Sequence, residues 1–174
     1  ASILKNMRTL HIRMQKHSQN AKYISEQLEQ DGIRVAYPGL KSHKNHKTIS
    51  SLYNPEFGFG GMLTIDAGDL ETANKLMEAM QKKGVGFLAV SLGFYKTLFN
   101  APGTATSSEI PIEEQQEMGL NDGLIRFSMG LDHDIKRTYE WMRECLIEVE
   151  MLTPLYDSMN LYKLEIAQNE LILN

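Results

Sequence analysis

Apolar residues recur at helical spacing from the start of the chain. Met7, Leu10, Met14, Ala21, Ile24 and Leu28 fall at steps of three, four and seven, which predicts a helix over about residues 3 to 30, ended by Asp31-Gly32. The period then drops to two: Ile33, Val35 and Tyr37 alternate with polar or small neighbours as a strand does, and Pro38-Gly39 closes it with a turn. Residues 41 to 60 carry no period and read as irregular. Met62-Leu63-Thr64-Ile65 predicts a second strand. Asp69 caps a helix running to about Lys83, with Ala73, Leu76, Met77 and Met80 on one face, and Gly84 stops it. Val85 to Val90 predicts a third strand and Leu124 to Ser128 a fourth. A long helix from His133 to Leu152 carries Ile135, Tyr139, Met142, Leu146 and Val149. In the tail, 153–174, Leu161, Leu164, Ala167 and Leu171 space out one more amphipathic helix, to dock on this domain or on a partner subunit. This irregular alternation predicts an α/β sandwich, a small sheet covered by helices on one face.

Composition changes this picture little. With 174 residues, 42% hydrophobic and a net charge of −4, the chain is long enough for one well-filled core and short for two domains. The mild acidity and the lack of a dense Lys/Arg patch argue against nucleic acid as a partner. No apolar stretch approaches the ~20 residues of a spanning helix, and the first residues lack a signal-peptide core, so the expected compartment is the cytosol. The single cysteine, Cys145, cannot form an internal disulfide and reads as a small core residue in a helix. Met7, Met14, Met77, Met80 and Met142 fall at helical core positions, so core filling accounts for them. Gly58-Phe59-Gly60-Gly61 has the glycines of a phosphate loop but leads into a strand, where such loops lead into a helix N-terminus. His11, His17, His43 and His46 lack a completing Cys or carboxylate and read as loop and surface histidines, with no metal expected. Glu109, Glu113, Glu114 and Glu117 read as a helix N-terminal turn.

The chemistry concentrates near Gly123-Leu124-Ile125-Arg126-Phe127-Ser128-Met129-Gly130, an apolar run with one arginine at its centre. A guanidinium is charged at any physiological pH, and its planar fork of donors fits a carboxylate in two places. Arg126 therefore pairs with an internal Asp or Glu, points outward from a half-buried strand, or binds an anion, of which a free α-carboxylate is the simplest. Upstream, Ala89-Val90-Ser91-Leu92-Gly93 ends an apolar segment and a Pro/Gly/Thr/Ser-rich loop, Ala101 to Ser108, follows.

Read in order, these segments resemble the C-terminal domain of the pyridoxal-phosphate enzymes of cysteine and methionine metabolism, the group of cystathionine γ-lyase, methionine γ-lyase, cystathionine γ-synthase and O-acetylhomoserine sulfhydrylase. The resemblance runs through Arg8-Thr9-Leu10, Arg13-Met14, Asn20-Ala21, Tyr37-Pro38-Gly39-Leu40, Ser42-His43, His46 and Phe59-Gly60-Gly61-Met62. It continues through Ser91-Leu92-Gly93, Pro102, Thr106, the block from Gly119 to Gly130, and Leu131. It implies a mostly antiparallel, four-stranded sheet in residues 1–152. It also implies a longer protein, of which this chain is about half. The preceding part would supply the pyridoxal 5'-phosphate site and the lysine that forms the internal Schiff base. None of the lysines here stands in such a context, and a start inside a predicted helix suggests a cut.

By position, the resemblance assigns Arg126 to the grip on the substrate α-carboxylate. It places Ser91 beside that carboxylate, with Leu92 and Gly93 shaping the turn, and Thr106 near it in a Pro-x-x-x-Thr loop. Three departures put subfamily and substrate in doubt: Lys96 where the family has glutamate, Thr106-Ser107 for Thr-His, and Lys5-Asn6 for Arg-Gly. The implied function is carbon–sulfur lysis or γ-replacement on a sulfur amino acid, in a tetramer built from active dimers, with the isolated chain inactive. The alternative is a stand-alone remnant that binds without catalysis.

Overall fold

The computed structural model describes residues 2–103, 109–118 and 120–154. In chain order the elements are α1 (Ser2–Met7), α2 (Leu10–Gln30), β1 (Val35–Ala36), α3 (His46–Ser50), β2 (Met62–Asp66), α4 (Leu70–Lys83), β3 (Gly86–Leu88), β4 (Thr97–Asn100), α5 (Ile112–Glu117), β5 (Leu124–Ser128) and α6 (Ile135–Glu148). The strands form one sheet in the order β1-β2-β5-β4-β3, antiparallel throughout except for β3 with β4.

Alternation along β2 and β5 gives the sheet two chemically different faces. Leu63 and Ile65 on β2, Phe99 on β4 and Ile125 and Phe127 on β5 are buried in one cluster with Ile24 and Leu28 of α2, Leu76 and Met80 of α4, and Met142 and Leu146 of α6. Phe99 and Phe127 meet with ring centroids 5.6 Å apart. Burial of this kind contributes roughly 1.5–3 kcal/mol per large apolar side chain and fixes which face turns inward. Thr64, Asp66, Leu124 and Arg126 therefore lie on the opposite face, only partly buried.

The helix ends follow local chemistry. Asp69 caps α4 by accepting from the Thr72 backbone N–H at 2.9 Å and from the Thr72 hydroxyl at 3.0 Å, and Gly84 closes the helix with φ of 90°. Asp134 caps α6 by accepting from the Arg137 N–H at 3.2 Å. Asp31, at the C-cap of α2, accepts from the Tyr139 hydroxyl and from Arg143 Nε at 3.2 Å, which fastens α2 to α6.

The helix-on-sheet layout expected from the sequence is the one observed, with several corrections. Among the described residues there are five strands, not four: Thr97–Asn100 was missed because all four of its residues are buried, so it shows no alternation. The helix expected over residues 3 to 30 is broken at Arg8-Thr9, where Arg13 turns back to donate to the Asn6 carbonyl at 2.8 Å and to Thr9 Oγ1 at 3.3 Å. The segment 41 to 60 holds the short helix α3. The third strand and the last helix are shorter than expected. Met77, Met80 and Met142 are buried, but Met7 is 58% exposed and Met14 only partly covered, so core filling does not account for those two. His17 is no surface residue: it is buried on α2, and its Nδ1 lies 2.6 Å from the Met129 carbonyl, to which it donates. Of the acidic cluster, Glu113 and Glu114 occupy the first turn of α5, while Glu117 stands at its end. Thr106 and the tail beyond residue 154 lie outside the described residues.

Candidate functional site

Arg126 sits at the middle of β5, the central strand of the sheet, opposite Thr64 on β2 and Asn100 on β4. Antiparallel pairing on both sides holds its backbone rigidly, and the pleat sends its side chain to the face the helices leave open. The two flanking glycines have a steric reason. A Cβ at Gly123 would stand 2.5 Å from the Asp69 nitrogen, and one at Gly130 would stand 2.5 Å from the Thr97 nitrogen, so backbone from two other segments occupies the space of a side chain at both ends of the strand.

A roof crosses above the arginine. The parallel strands β3 and β4 are joined by residues 89–96 alone, shorter than the usual crossover, and this link passes over the open face. It is stapled there by the Gly93 N–H donating to Ser128 Oγ at 3.0 Å, by the Leu131 N–H donating to the Tyr95 carbonyl at 2.8 Å and by the Gly130 N–H donating to Thr97 Oγ1 at 2.9 Å. Gly93 turns with φ of 72°. Arg126 Nη2 donates to the Ser91 carbonyl at 3.4 Å, so Ser91 meets the guanidinium through its backbone. Leu92, 63% exposed, projects from the same turn. The structure thus brings together Arg126, Ser91 and the turn of Leu92-Gly93; Thr106 is outside the described residues.

Of the three readings open for Arg126, an internal ion pair is the one the structure removes: no Asp or Glu among the described residues lies within 4.0 Å of its guanidinium. Its Nε is buried without a hydrogen-bond partner, and so are both amide atoms of Asn100 beside it. Desolvated polar groups of this kind cost free energy until a partner arrives. Asn100 is the residue that sequence reasoning overlooked, because a lone asparagine after Thr97-Leu98-Phe99 carries no signal until β4 is paired with β5.

The departure at Lys96 also gains a physical account. Its ammonium lies 3.7 Å from Asp132 Oδ1, next to the end of β5, so the positive charge is compensated within this domain.

The described residues do not build a place for pyridoxal phosphate. Every described lysine is exposed or half-exposed, and Lys22, Lys75, Lys83 and Lys96 are engaged by Glu26, Glu71, Glu144 and Asp132. A lysine that must be held neutral to react needs a dry or cationic pocket, which none of them has. The Gly58 to Gly61 loop leads into β2, not into a helix. The orphaned donors around Arg126 instead suit a small planar anion.

A family model, Cys/Met metabolism PLP-dependent enzyme, matches residues 1–137. Methionine gamma-lyase of Arabidopsis thaliana is 42% identical over 122 residues, covering 70% of this chain and 28% of that protein. Cystathionine beta-lyase of Coxiella burnetii is 36% identical over 133 residues, covering 75% and 33%. Among solved structures, cystathionine gamma-lyase from yeast superposes with a TM-score of 0.75 at 30% identity, covering 84% of this chain and 37% of that one. A Campylobacter jejuni structure described as an O-acetylhomoserine (thiol)-lyase, which carries an N'-pyridoxyl-lysine-5'-monophosphate, gives 0.74 at 31% identity, covering 82% and 33%. The chain spans about a third of the length of these relatives, less than the half expected from sequence. Family model, relatives and fold agree: the chain belongs to the PLP-dependent enzymes of Cys/Met metabolism.

Proposed function

We propose that residues 1–152 are the C-terminal, substrate-carboxylate-binding domain of a PLP-dependent carbon–sulfur lyase or γ-replacement enzyme acting on a sulfur amino acid. The observation that carries this reading is Arg126: a guanidinium carried by a rigidly paired strand on the open face of a sheet, under a stapled turn, with no carboxylate partner among the described residues. The relatives, which include lyases of methionine and of cystathionine, supply the substrate class.

In this reading the cofactor, bound by the remainder of the protein, supplies an electron sink. Arg126 binds the α-carboxylate through its fork and so fixes the orientation of the α-carbon. The Ser91 carbonyl holds one arm of that fork in place, and the reading assigns Thr106 to the same carboxylate. Leu92 covers the turn on the solvent side and limits water at the anion. In this reading the chain by itself is inactive, and turnover belongs to the full-length protein.

Arg126→Ala in the full-length protein tests this. Losing a charge-assisted, two-point anchor lowers kcat/KM by about 10²-fold or more, while the absorbance of the bound cofactor persists. Unchanged steady-state kinetics removes Arg126 from the role.

A further inference from the structure

We propose that Asn100 is a positioning residue of the carboxylate site, one that sets the Arg126 guanidinium by accepting from its Nε when an anion is bound. The inference rests on the reading of Arg126 as the carboxylate anchor. Asn100 ends β4 directly across from Arg126, and cross-strand partners in an antiparallel pair project to the same side. It is only 5% exposed, yet neither its amide oxygen nor its amide nitrogen has a hydrogen-bond partner. Arg126 Nε is buried and unpartnered as well. A buried acceptor and a buried donor on directly paired strand positions, each unsatisfied, are complementary.

The functional consequence follows from the shape of the fork. A guanidinium grips a carboxylate with two parallel N–H groups only if its plane is set. The Ser91 carbonyl restrains one terminal nitrogen at a long 3.4 Å, and the aliphatic stem leaves the plane free to turn. An acceptor at Nε removes that freedom without touching the two terminal nitrogens that face the anion. The remaining Asn100 Nδ2 is then available to a carbonyl or to the anion itself.

The test uses the full-length, cofactor-loaded protein and reads affinity by calorimetry, with glycine as the amino acid and methylamine as its counterpart without a carboxylate. Asn100→Leu is close in volume and removes the amide. It weakens glycine binding by about tenfold or more and leaves methylamine binding unchanged, whereas Asn100→Gln restores part of the preference for glycine. Should Asn100→Leu fail to fold, Asn100→Ala, which also removes the acceptor, makes the same comparison. Arg126→Leu, measured alongside, separates the two claims. If Arg126→Leu abolishes the preference for glycine and Asn100→Leu leaves it intact, the role of Asn100 is overturned and the anchor stands. If Arg126→Leu also leaves the preference intact, the anchor reading falls and the inference falls with it. An equal loss of both ligands in Asn100→Leu marks a structural role and overturns the proposal too.

Discussion

Lys96 shows how one substitution is absorbed by its surroundings. The resemblance implies glutamate here, and in this chain the ammonium instead meets Asp132, whose Oδ2 is buried without a hydrogen bond. Reversing the sign sets two carboxylates against each other at a partly buried point. Lys96→Glu is therefore expected to destabilise the domain by roughly 1–2 kcal/mol, read as a lower urea midpoint at unchanged slope. An unchanged midpoint means that the ion pair is decorative. Cys145 illustrates the opposite, a residue whose role was plain from its neighbours in the sequence: it is 1% exposed within α6, and burial pushes its thiol up to about 11, which suits core packing and not nucleophilic attack. Arg126 stood out for a similar reason, since a charge inside an apolar octet is conspicuous. Asn100 did not, because its importance comes from the residue across the sheet and not from those beside it in the chain.

The elements that were legible are those with strong local signals. Helix α4 has an amphipathic face, an aspartate cap and a glycine stop, and each lies where the pattern put it. Its cap has a consequence for acid stability. The hydrogen bonds from Thr72 hold the Asp69 carboxyl below its usual range. A carboxyl lowered on folding adds stability that is fully present above the ordinary carboxylate pKa and is lost as pH falls through that value toward the folded one. Asp69→Ala should thus reduce the thermal midpoint at neutral pH and narrow its gap to the parent as pH is lowered through the carboxylate range. A gap that stays constant with pH would show that the charge of the cap contributes nothing. Strand β4 had no such local signal, since burial on both faces removes alternation, and it forms only because β3 and β5 lie on either side of it. The break between α1 and α2 is likewise set by Arg13 reaching back to Asn6.

At the scale of the whole molecule, apolar surface is left uncovered. Ile3, Leu4 and Met7 on α1 are all well exposed, and Met7 with Leu10, Met14 and Phe57 lines an apolar hollow between the first helices and the loop before β2. Exposed apolar surface of this kind is the surface that a protein contact would cover. Changing Ile3, Leu4 and Met7 together to serine should alter the stability of the isolated chain by no more than about 0.5 kcal/mol, because those side chains are already in water. In the full-length protein the same changes should lower the assembled mass by light scattering or the thermal midpoint. No effect in either measurement on the full-length protein would leave this surface without a role.

The sequence by itself determined α4 with its cap and stop, the main runs of α2 and α6, the strands that alternate and the singularity of Arg126, because these depend on spacing, propensity and charge within a few residues. Tertiary structure alone decided the fifth strand, the burial of His17, the exposure of Met7, the lack of a carboxylate beside Arg126 among the described residues and its cross-strand pairing with Asn100. Each of these depends on which distant backbone is brought alongside, and hydrophobic pattern specifies that a face is buried without specifying what it meets.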